Sequence, residues 1–208
     1  MKGLLLKDFY QATRYCRSYL LIAVVFLAVS VFNSGNSFFI FYPCLIWGMI
    51  PATLLAYDER SHWQELAATL PVSRAQFVSA KYLLSLLGQL AMLVLTGICQ
   101  ILRMKREGGV QPTELFTLLA SVFLLAALGS SVSLPFMFKL GVERGRGAYY
   151  FMIGVVCAAG VLGAKIFEER EAVGFSVAAI PLLLLAGCAV TAVSWVLSVK
   201  FYQRRELH

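Results

Sequence analysis

The stretch "YDERSHWQELAATLPVSRAQFVSAKY", Tyr57 to Tyr82, carries a dense mixture of charges and lies between two long apolar runs. Four apolar residues recur at helical spacing i, i+3, i+4 and i+7: Trp63, Leu66, Ala67 and Leu70. This spacing predicts an amphipathic helix over residues 59–70 with one apolar stripe. Pro71 disfavours helical backbone at the residue before it, so the helix is expected to end there.

A second helix is predicted directly after the proline. Ser73 is a favourable N-cap residue, and Gln76 follows three positions later, which is the spacing of a capping box. The helix is therefore expected to begin at Arg74 and to carry Lys81 and Tyr82 into the next apolar run. Asp58 and Glu59 are expected to pair with Arg74, Lys81 or the basic N-terminal arm.

The composition surrounding this stretch is that of a membrane protein. The chain has 208 residues, of which 60% are hydrophobic and 14% are charged, and its mean hydropathy is +0.77. A soluble domain of this length has too little polar area to cover so much apolar surface. A bilayer is crossed by about 20 apolar residues in a helix, and six apolar stretches occur, at residues 20–32, 38–56, 83–102, 115–138, 149–167 and 175–201. The first is short and reaches a spanning length if Ser18 and Tyr19 lie among the lipid headgroups.

The predicted fold class is an all-α polytopic membrane protein formed by one transmembrane domain over residues 1–208. Residues 1–18 show helical periodicity, with Lys7, Gln11 and Arg14 on one face and Leu5, Phe9, Ala12 and Cys16 on another, which predicts a helix lying in the membrane interface. Six transmembrane helices follow. Residues 58–80 form a cytoplasmic loop between spans two and three.

The charge distribution predicts the orientation of the chain. The formal net charge is +7, but the basic residues flank apolar runs rather than forming one patch, which argues against a nucleic-acid partner. Most of them lie in the N-terminal arm, in the second and fourth connections and in the tail. Both termini are therefore expected in the cytoplasm. The basic segment 103–109 is the exception, and either lipid-headgroup contact or an outer gate accounts for it.

Several classes of chemistry find no support in the sequence. A metalloprotease needs clustered histidines, but only His62 and His208 are present. The five cysteines form no CxxC pair, so neither a disulfide framework nor a metal site is expected. The fragment "GVLGAK" at residues 160–165 does not have the GxxxxGK[ST] spacing that holds phosphates. We therefore expect no enzyme activity and no cofactor on this chain.

Three segments carry a resemblance to a known family. The loop resembles that of type-2 export permeases of ABC transporters, whose pattern is matched by Asp58, Glu59, Leu70, Pro71, Val72, Ser73, Arg74, Lys81 and Tyr82. The segment "SLPFMFKLGVERGRGAYY" at residues 133–150 and the start "MKGLLLKDFY" are also similar to that family. Within it, the chain is most similar to stand-alone six-helix permeases that export phenol-soluble modulins.

The resemblance implies a membrane subunit of an exporter in the bacterial cytoplasmic membrane. Its partners would be two copies of a separate P-loop ATPase, which binds ATP and Mg²⁺, and a second permease copy in a homodimer or heterodimer. The helix in the loop would be a coupling helix, and its contacts with the ATPase would come from Asp58, Glu59, Arg60, His62, Trp63, Glu65 and Arg74. A second cytoplasmic loop would contribute Lys139, Glu143, Arg144 and Arg146.

The second span supplies candidates for a translocation path. Its side chains are apolar or aromatic, and two prolines are expected to bend or break the helix: Phe41, Tyr42, Pro43, Trp47 and Pro51. Within the predicted spans, acids and bases lie only near the ends, Lys165 and Lys200 included, which favours a hydrophobic or amphipathic cargo such as a peptide. Lipid-facing surface is an equally compatible interpretation of these aromatic residues.

Alternatives to a pump remain open at this stage. A non-pumping toxin-immunity or structural membrane protein has the same sequence features, and an ion-coupled carrier is a further alternative. An ordinary interfacial helix that only stabilises the fold would also show the apolar stripe of the loop.

Overall fold

The computed structural model describes residues 2–32, 38–69, 73–109, 111–168 and 179–204. Within these ranges the chain is all-α, as predicted, and forms eight helices. They are α1 (Lys2–Tyr15), α2 (Arg17–Phe32), α3 (Phe38–Arg60), α4 (Trp63–Thr69), α5 (Arg74–Glu107), α6 (Pro112–Leu140), α7 (Val142–Glu168) and α8 (Ala179–Arg204).

Four helices are long and apolar enough to cross a membrane: α3, α5, α6 and α8. They contain the second, third, fourth and sixth predicted spans, although residues 175–178 of the last lie outside the described residues. Helices α1 and α2 are bent by 70° and together give a fifth candidate. The fifth predicted span, at 149–167, lies within α7, which is 27 residues long but is not among these candidates. The count of six spans therefore stays a prediction.

The N-terminal helix α1 is a distinct helix from α2, which contains the first predicted span. Helix α1 ends at Tyr15, and the 70° bend at the break gives it a direction distinct from that of α2. Its inward face differs from the predicted one, however. Leu4, Asp8, Ala12 and Cys16 are buried, whereas Phe9 is 56% exposed. That α1 lies along a membrane surface stays a prediction.

The two prolines of α3 do not interrupt it. The helix runs from Phe38 to Arg60 with Pro43 and Pro51 inside it, so the expected local break does not occur. Both prolines are buried, and α3 packs against α2, α5, α6 and α7. Neighbouring helices on several sides allow a proline to be accommodated within a membrane helix.

Helix α6 lies at the centre of the bundle, in contact with α3, α5, α7 and α8. Its end is joined to α7 by a tight corner at Gly141, whose φ of 84° lies in the left-handed region that glycine tolerates. Just beyond the corner, a Cβ added at Gly145 would lie 2.7 Å from the Cα of Met137. A glycine at this position therefore allows the first turn of α7 to pass close to α6.

Helices α3 and α5 meet through a tryptophan that lies on a glycine. A Cβ added at Gly88 would lie 1.6 Å from the Trp47 ring, whereas at Gly97 the nearest neighbouring atom would be 3.7 Å away, on Leu119. The absence of a side chain at Gly88 therefore provides the space for the Trp47 ring. At Gly97 there is room for a Cβ, because the nearest neighbouring atom would be at ordinary contact distance.

We expect Gly88→Ala to destabilise the protein by about 1–3 kcal/mol, the usual cost of overpacking a filled site. Gly97→Ala on the same helix is the matched control. It should be neutral or should stabilise the protein by up to about 1 kcal/mol, because alanine loses less backbone entropy than glycine when the helix forms. Denaturant unfolding in detergent measures both variants. Equal stability of the two variants would contradict the packing described.

Candidate functional site

The helix in the loop is shorter than predicted. Helix α3 continues through Asp58 and Glu59 to Arg60, and α4 begins only at Trp63, so the expectation of a helix starting at Glu59 is wrong. The break lies at Ser61 and His62, where His62 has a φ of 52°. An amphipathic pattern does not reveal such a break, because residues on both sides of it remain helical.

Helix α4 packs one face onto the bundle and exposes another. Ala67 is buried and Trp63 packs beside it, both against a core cluster that includes Phe77, Leu134 and Phe138. Leu66 is 53% exposed, although the sequence places it in the apolar stripe. The predicted stripe is therefore only partly buried. Leu70, Pro71 and Val72 lie outside the described residues, as does the side chain of Glu65.

The beginning of α5 is the predicted capping box. The Gln76 backbone N–H donates to Ser73 Oγ at 3.2 Å, and the Ser73 N–H donates to Gln76 Oε1 at 3.1 Å. Helix α5 starts at Arg74, which confirms the position read from the sequence. We call the end of the bundle that carries residues 57–82 the loop end.

A buried ion network connects three helices at the loop end. Lys81 Nζ of α5 lies 2.7 Å from Asp8 Oδ1 of α1 and 2.5 Å from Asp58 Oδ2 of α3. All three residues are buried, with Lys81 1% exposed, Asp8 2% and Asp58 0%. The predicted pairing of Asp58 with Lys81 is confirmed. Because each carboxylate comes from a different helix, one ammonium group fixes α1, α3 and α5 relative to one another.

Lys7 completes this network and joins it to α4. Its ammonium group pairs with Asp58 and lies 3.3 Å from Asp8 Oδ1. The same group lies 4.6 Å from the centroid of the Trp63 ring, within the range of a cation–π contact. The network therefore contains two lysines and two aspartates, and the short helix rests directly on it through Trp63.

Glu59 joins this loop to the corner between α6 and α7. Its Oε2 accepts a hydrogen bond from the Val142 backbone N–H at 2.9 Å. Val142 is the first residue of α7, and a carboxylate is favourable where a helix N-terminus leaves its N–H groups without partners. Two of the three segments that carry the family resemblance are thus in direct contact.

Arg74 and Tyr82 join the loop to α8. Arg74 Nη1 donates to the Gln203 carbonyl at 2.8 Å, near the end of α8 where carbonyl groups lack helical partners. The Tyr82 hydroxyl forms hydrogen bonds with Ser194 at 2.5 Å and Ser198 at 2.7 Å. Five residues at the loop end therefore form ion pairs or hydrogen bonds with α1, α7 and α8 or with one another: Asp58, Glu59, Arg74, Lys81 and Tyr82.

An open cleft of about 760 Å³ lies beside these contacts. Helices α2, α3 and α7 and the end of α6 contribute to its lining. Charged and aromatic side chains line most of it: Tyr19, Tyr57, Glu59, Arg60, Glu143, Arg144 and Arg146. The cleft combines two tyrosines with three arginines and two glutamates, a small excess of positive charge that suits a ligand with both apolar and anionic parts.

The predicted contact residues differ in their accessibility. Arg60, His62, Arg74, Lys139, Glu143, Arg144 and Arg146 are exposed, and Glu59 and Trp63 are half-buried. Asp58 is fully buried, so its carboxylate does not contact a partner directly. It stabilises the position of the exposed residues through its ion pairs with Lys7 and Lys81. The Lys139 Nζ lies 5.1 Å from the centroid of the Phe201 ring.

The candidate path residues of α3 face other helices of the same chain. Phe41 packs against the cluster of Ile40, Cys44, Val122 and Ala126, and the Tyr42 ring lies 4.7 Å from that of Phe26. Trp47 lies on Gly88 of α5. In this conformation these aromatic side chains fill helix–helix contacts.

We expect Lys81→Met to destabilise the protein by about 3–5 kcal/mol, because it leaves two buried carboxylates with less compensating charge. Denaturant unfolding in detergent measures the loss. Lys105→Met, which changes an exposed lysine near the other end of α5, should have almost no effect.

A second variant separates charge balance from packing. Lys81→Met combined with Asp58→Asn leaves Lys7 and Asp8 as one balanced pair, so part of the lost stability should return. A double variant that is as unstable as the sum of its two single variants would show that the charges do not interact.

Comparison with known proteins agrees with this arrangement. Residues 3–203 match the family model described as ABC-2 family transporter protein. No curated protein matches the chain significantly. Since the match covers nearly the whole chain and includes both segments that meet at the loop end, the chain belongs to the ABC-2 family and is a membrane subunit of an ABC transporter.

Proposed function

We propose that the chain is the permease of an ATP-driven exporter, with its loop end in the cytoplasm of a bacterial cell. Two permease copies, identical or different, would assemble with two copies of a separate ATPase that binds ATP and Mg²⁺. The excess of lysine and arginine beside the loop-end helices supports this orientation.

The observation that carries the proposal is the position of α4 on the buried ion network. Trp63 of α4 lies against Lys7, and Lys7 and Lys81 bind the carboxylates of α1 and α3. A force on α4 therefore acts on the ends of α1, α3 and α5 together. Such a connection is what a membrane subunit requires if its motion is produced by another protein.

The surface offered to the ATPase would include both loops. On α4, Leu66 is 53% exposed, and the neighbouring Arg60 and His62 are exposed as well. Glu143, Arg144 and Arg146 are exposed at the start of α7, which Glu59 fixes to α3. An exposed leucine together with exposed polar and charged residues has the composition of a protein interface with an apolar centre and a polar rim. Glu65 remains part of the proposed surface on sequence grounds.

The cargo would be hydrophobic or amphipathic, with peptides such as phenol-soluble modulins as the favoured class. The loop-end cleft beside α2, α3 and α7 combines tyrosines with arginines and is a suitable place for such a molecule to arrive from the cytoplasm. Phe41, Tyr42, Pro43, Trp47 and Pro51 would contribute to its path after the helices separate. Their packing within one chain means that α3 has to move relative to α2 and α5.

A second permease copy would pack against the face that includes α7. This helix exposes large apolar side chains, with Phe151 75% exposed, Tyr150 59% and Val155 51%. The loop-end cleft reaches the start of α7, so a dimer formed there would bring two clefts close together.

The proposal makes Leu66 the central apolar anchor of the interface, and truncation of such a hot-spot residue costs about 2 kcal/mol or more, so we expect Leu66→Ala to reduce ATPase stimulation by at least about five-fold. The full-length permease would be purified from native membranes with its ATPase, and ATP hydrolysis and the yield of the complex would both be measured. Arg60→Ala should also reduce ATPase stimulation.

The control is Leu6→Ala on α1. Leu6 is also a leucine at the loop end and is 58% exposed, but it lies outside the proposed surface and should leave coupling unchanged. Normal coupling and assembly in both Leu66→Ala and Arg60→Ala would refute the docking surface. Purification of a stable permease that stimulates no ATPase would favour the non-pumping alternative.

A further inference from the structure

Two grooves run along α8, and their lining residues differ in charge. The first, about 560 Å³, lies between α6 and α8, and ten apolar or hydroxyl-bearing residues line it together with Lys139. The second, about 400 Å³, lies between α5 and α8 and has no lysine or arginine among its described lining residues. We call them the α6–α8 groove and the α5–α8 groove.

The α6–α8 groove has a cation at one end. Lys139 is in the last turn of α6 at the loop end, and its Nζ lies beside the Phe201 ring near the end of α8. Lys200 and Arg204 are exposed in the same part of α8. A molecule in the groove would thus have its apolar part between the helices and any anionic part among these basic side chains.

A second polar residue, Ser131, lines the same groove. It is 5% exposed, and its Oγ has no hydrogen-bond partner among the described residues. An unpaired hydroxyl in an apolar environment is unfavourable, so a ligand with an acceptor oxygen would relieve the cost. Ser131 precedes Lys139 by eight residues of α6, about 12 Å along the helix axis, so the Lys139 side chain has to extend toward Ser131 for the phosphate and a glycerol ester oxygen of one lipid to reach both residues.

From these observations we infer that the α6–α8 groove binds one anionic glycerophospholipid from the membrane leaflet at the loop end. The acyl chain lies along Val190, Val193 and Leu197. The phosphate pairs with Lys139, and the Ser131 hydroxyl donates to an oxygen of the lipid. The α5–α8 groove accepts acyl chains with less preference for an anionic headgroup, because its described lining residues include no lysine or arginine.

The test uses the full-length protein in nanodiscs that contain equal amounts of phosphatidylglycerol and phosphatidylcholine with the same acyl chains. After transfer to mild detergent, native mass spectrometry counts the lipids that each protein retains. We expect phosphatidylglycerol to be retained about five-fold over phosphatidylcholine, the effect of about one interfacial cation. Lys139→Gln should abolish this preference, whereas Arg14→Gln, an exposed cation on α1, should not.

Two tryptophan substitutions on α8 test the place of binding. Ala189→Trp fills the α6–α8 groove and should remove the retained phosphatidylglycerol. Ala192→Trp, three residues further on, fills the α5–α8 groove and should leave the preference intact. Both alanines are exposed, so neither change alters the interior of the bundle.

Ser131→Ala distinguishes lipid binding by this hydroxyl from a purely structural role. In detergent without lipid the variant should be more stable to heat, because an unpaired hydroxyl is removed, but it should retain less phosphatidylglycerol. The inference is overturned if the unaltered protein retains both lipids equally, or if Ala189→Trp leaves retention unchanged. It is also overturned if Ala189→Trp changes only the oligomeric mass, which would assign the groove to a second protein copy.

Discussion

The ammonium group of Lys81, held between the carboxylates of Asp8 and Asp58, is the interaction on which the loop end depends. Burying a charge costs several kcal/mol unless an opposite charge and good hydrogen-bond geometry compensate it. Here each charge is nearly free of solvent, and each belongs to a different helix. A separation of α1, α3 or α5 would leave a buried charge uncompensated, so the three helix ends are expected to move as one unit.

The remaining polar contacts extend this unit to the rest of the bundle. Glu59 follows Asp58 in the chain, yet it faces α7 rather than α5. Tyr82 follows Lys81 and faces α8 rather than α3. Adjacent residues of a helix point in different directions, so two charged or polar dipeptides are sufficient to connect the loop with most of the helices around it.

The sequence predicted the helices better than the contacts between them. The apolar runs identified α3, α5, α6 and α8, and the Ser73 capping box identified the start of α5, because local chemistry determines these features. Asp58 was expected to pair with Lys81, but Asp8 was not recognised. The buried face of α1 consists of residues spaced four apart, Leu4, Asp8, Ala12 and Cys16. An aspartate at one of these buried positions indicates that a cation from another helix lies beside it. The break at His62 and the inward position of Trp47 depend on tertiary packing that no local pattern contains.

A network of this kind contributes more to position than to stability. Apolar residues of matching volume often stabilise a core as well as buried ions do, so the two aspartates and two lysines are not needed merely to hold the helices together. Apolar contacts tolerate small shifts in register, whereas a carboxylate moved away from its ammonium group loses both charge compensation and hydrogen bonding. The ion network therefore restricts the loop end to one arrangement of α1, α3 and α5. The proposed coupling through α4 would benefit from this restriction, because a displacement of α4 would then change the angle of the spanning helices rather than being absorbed at their ends.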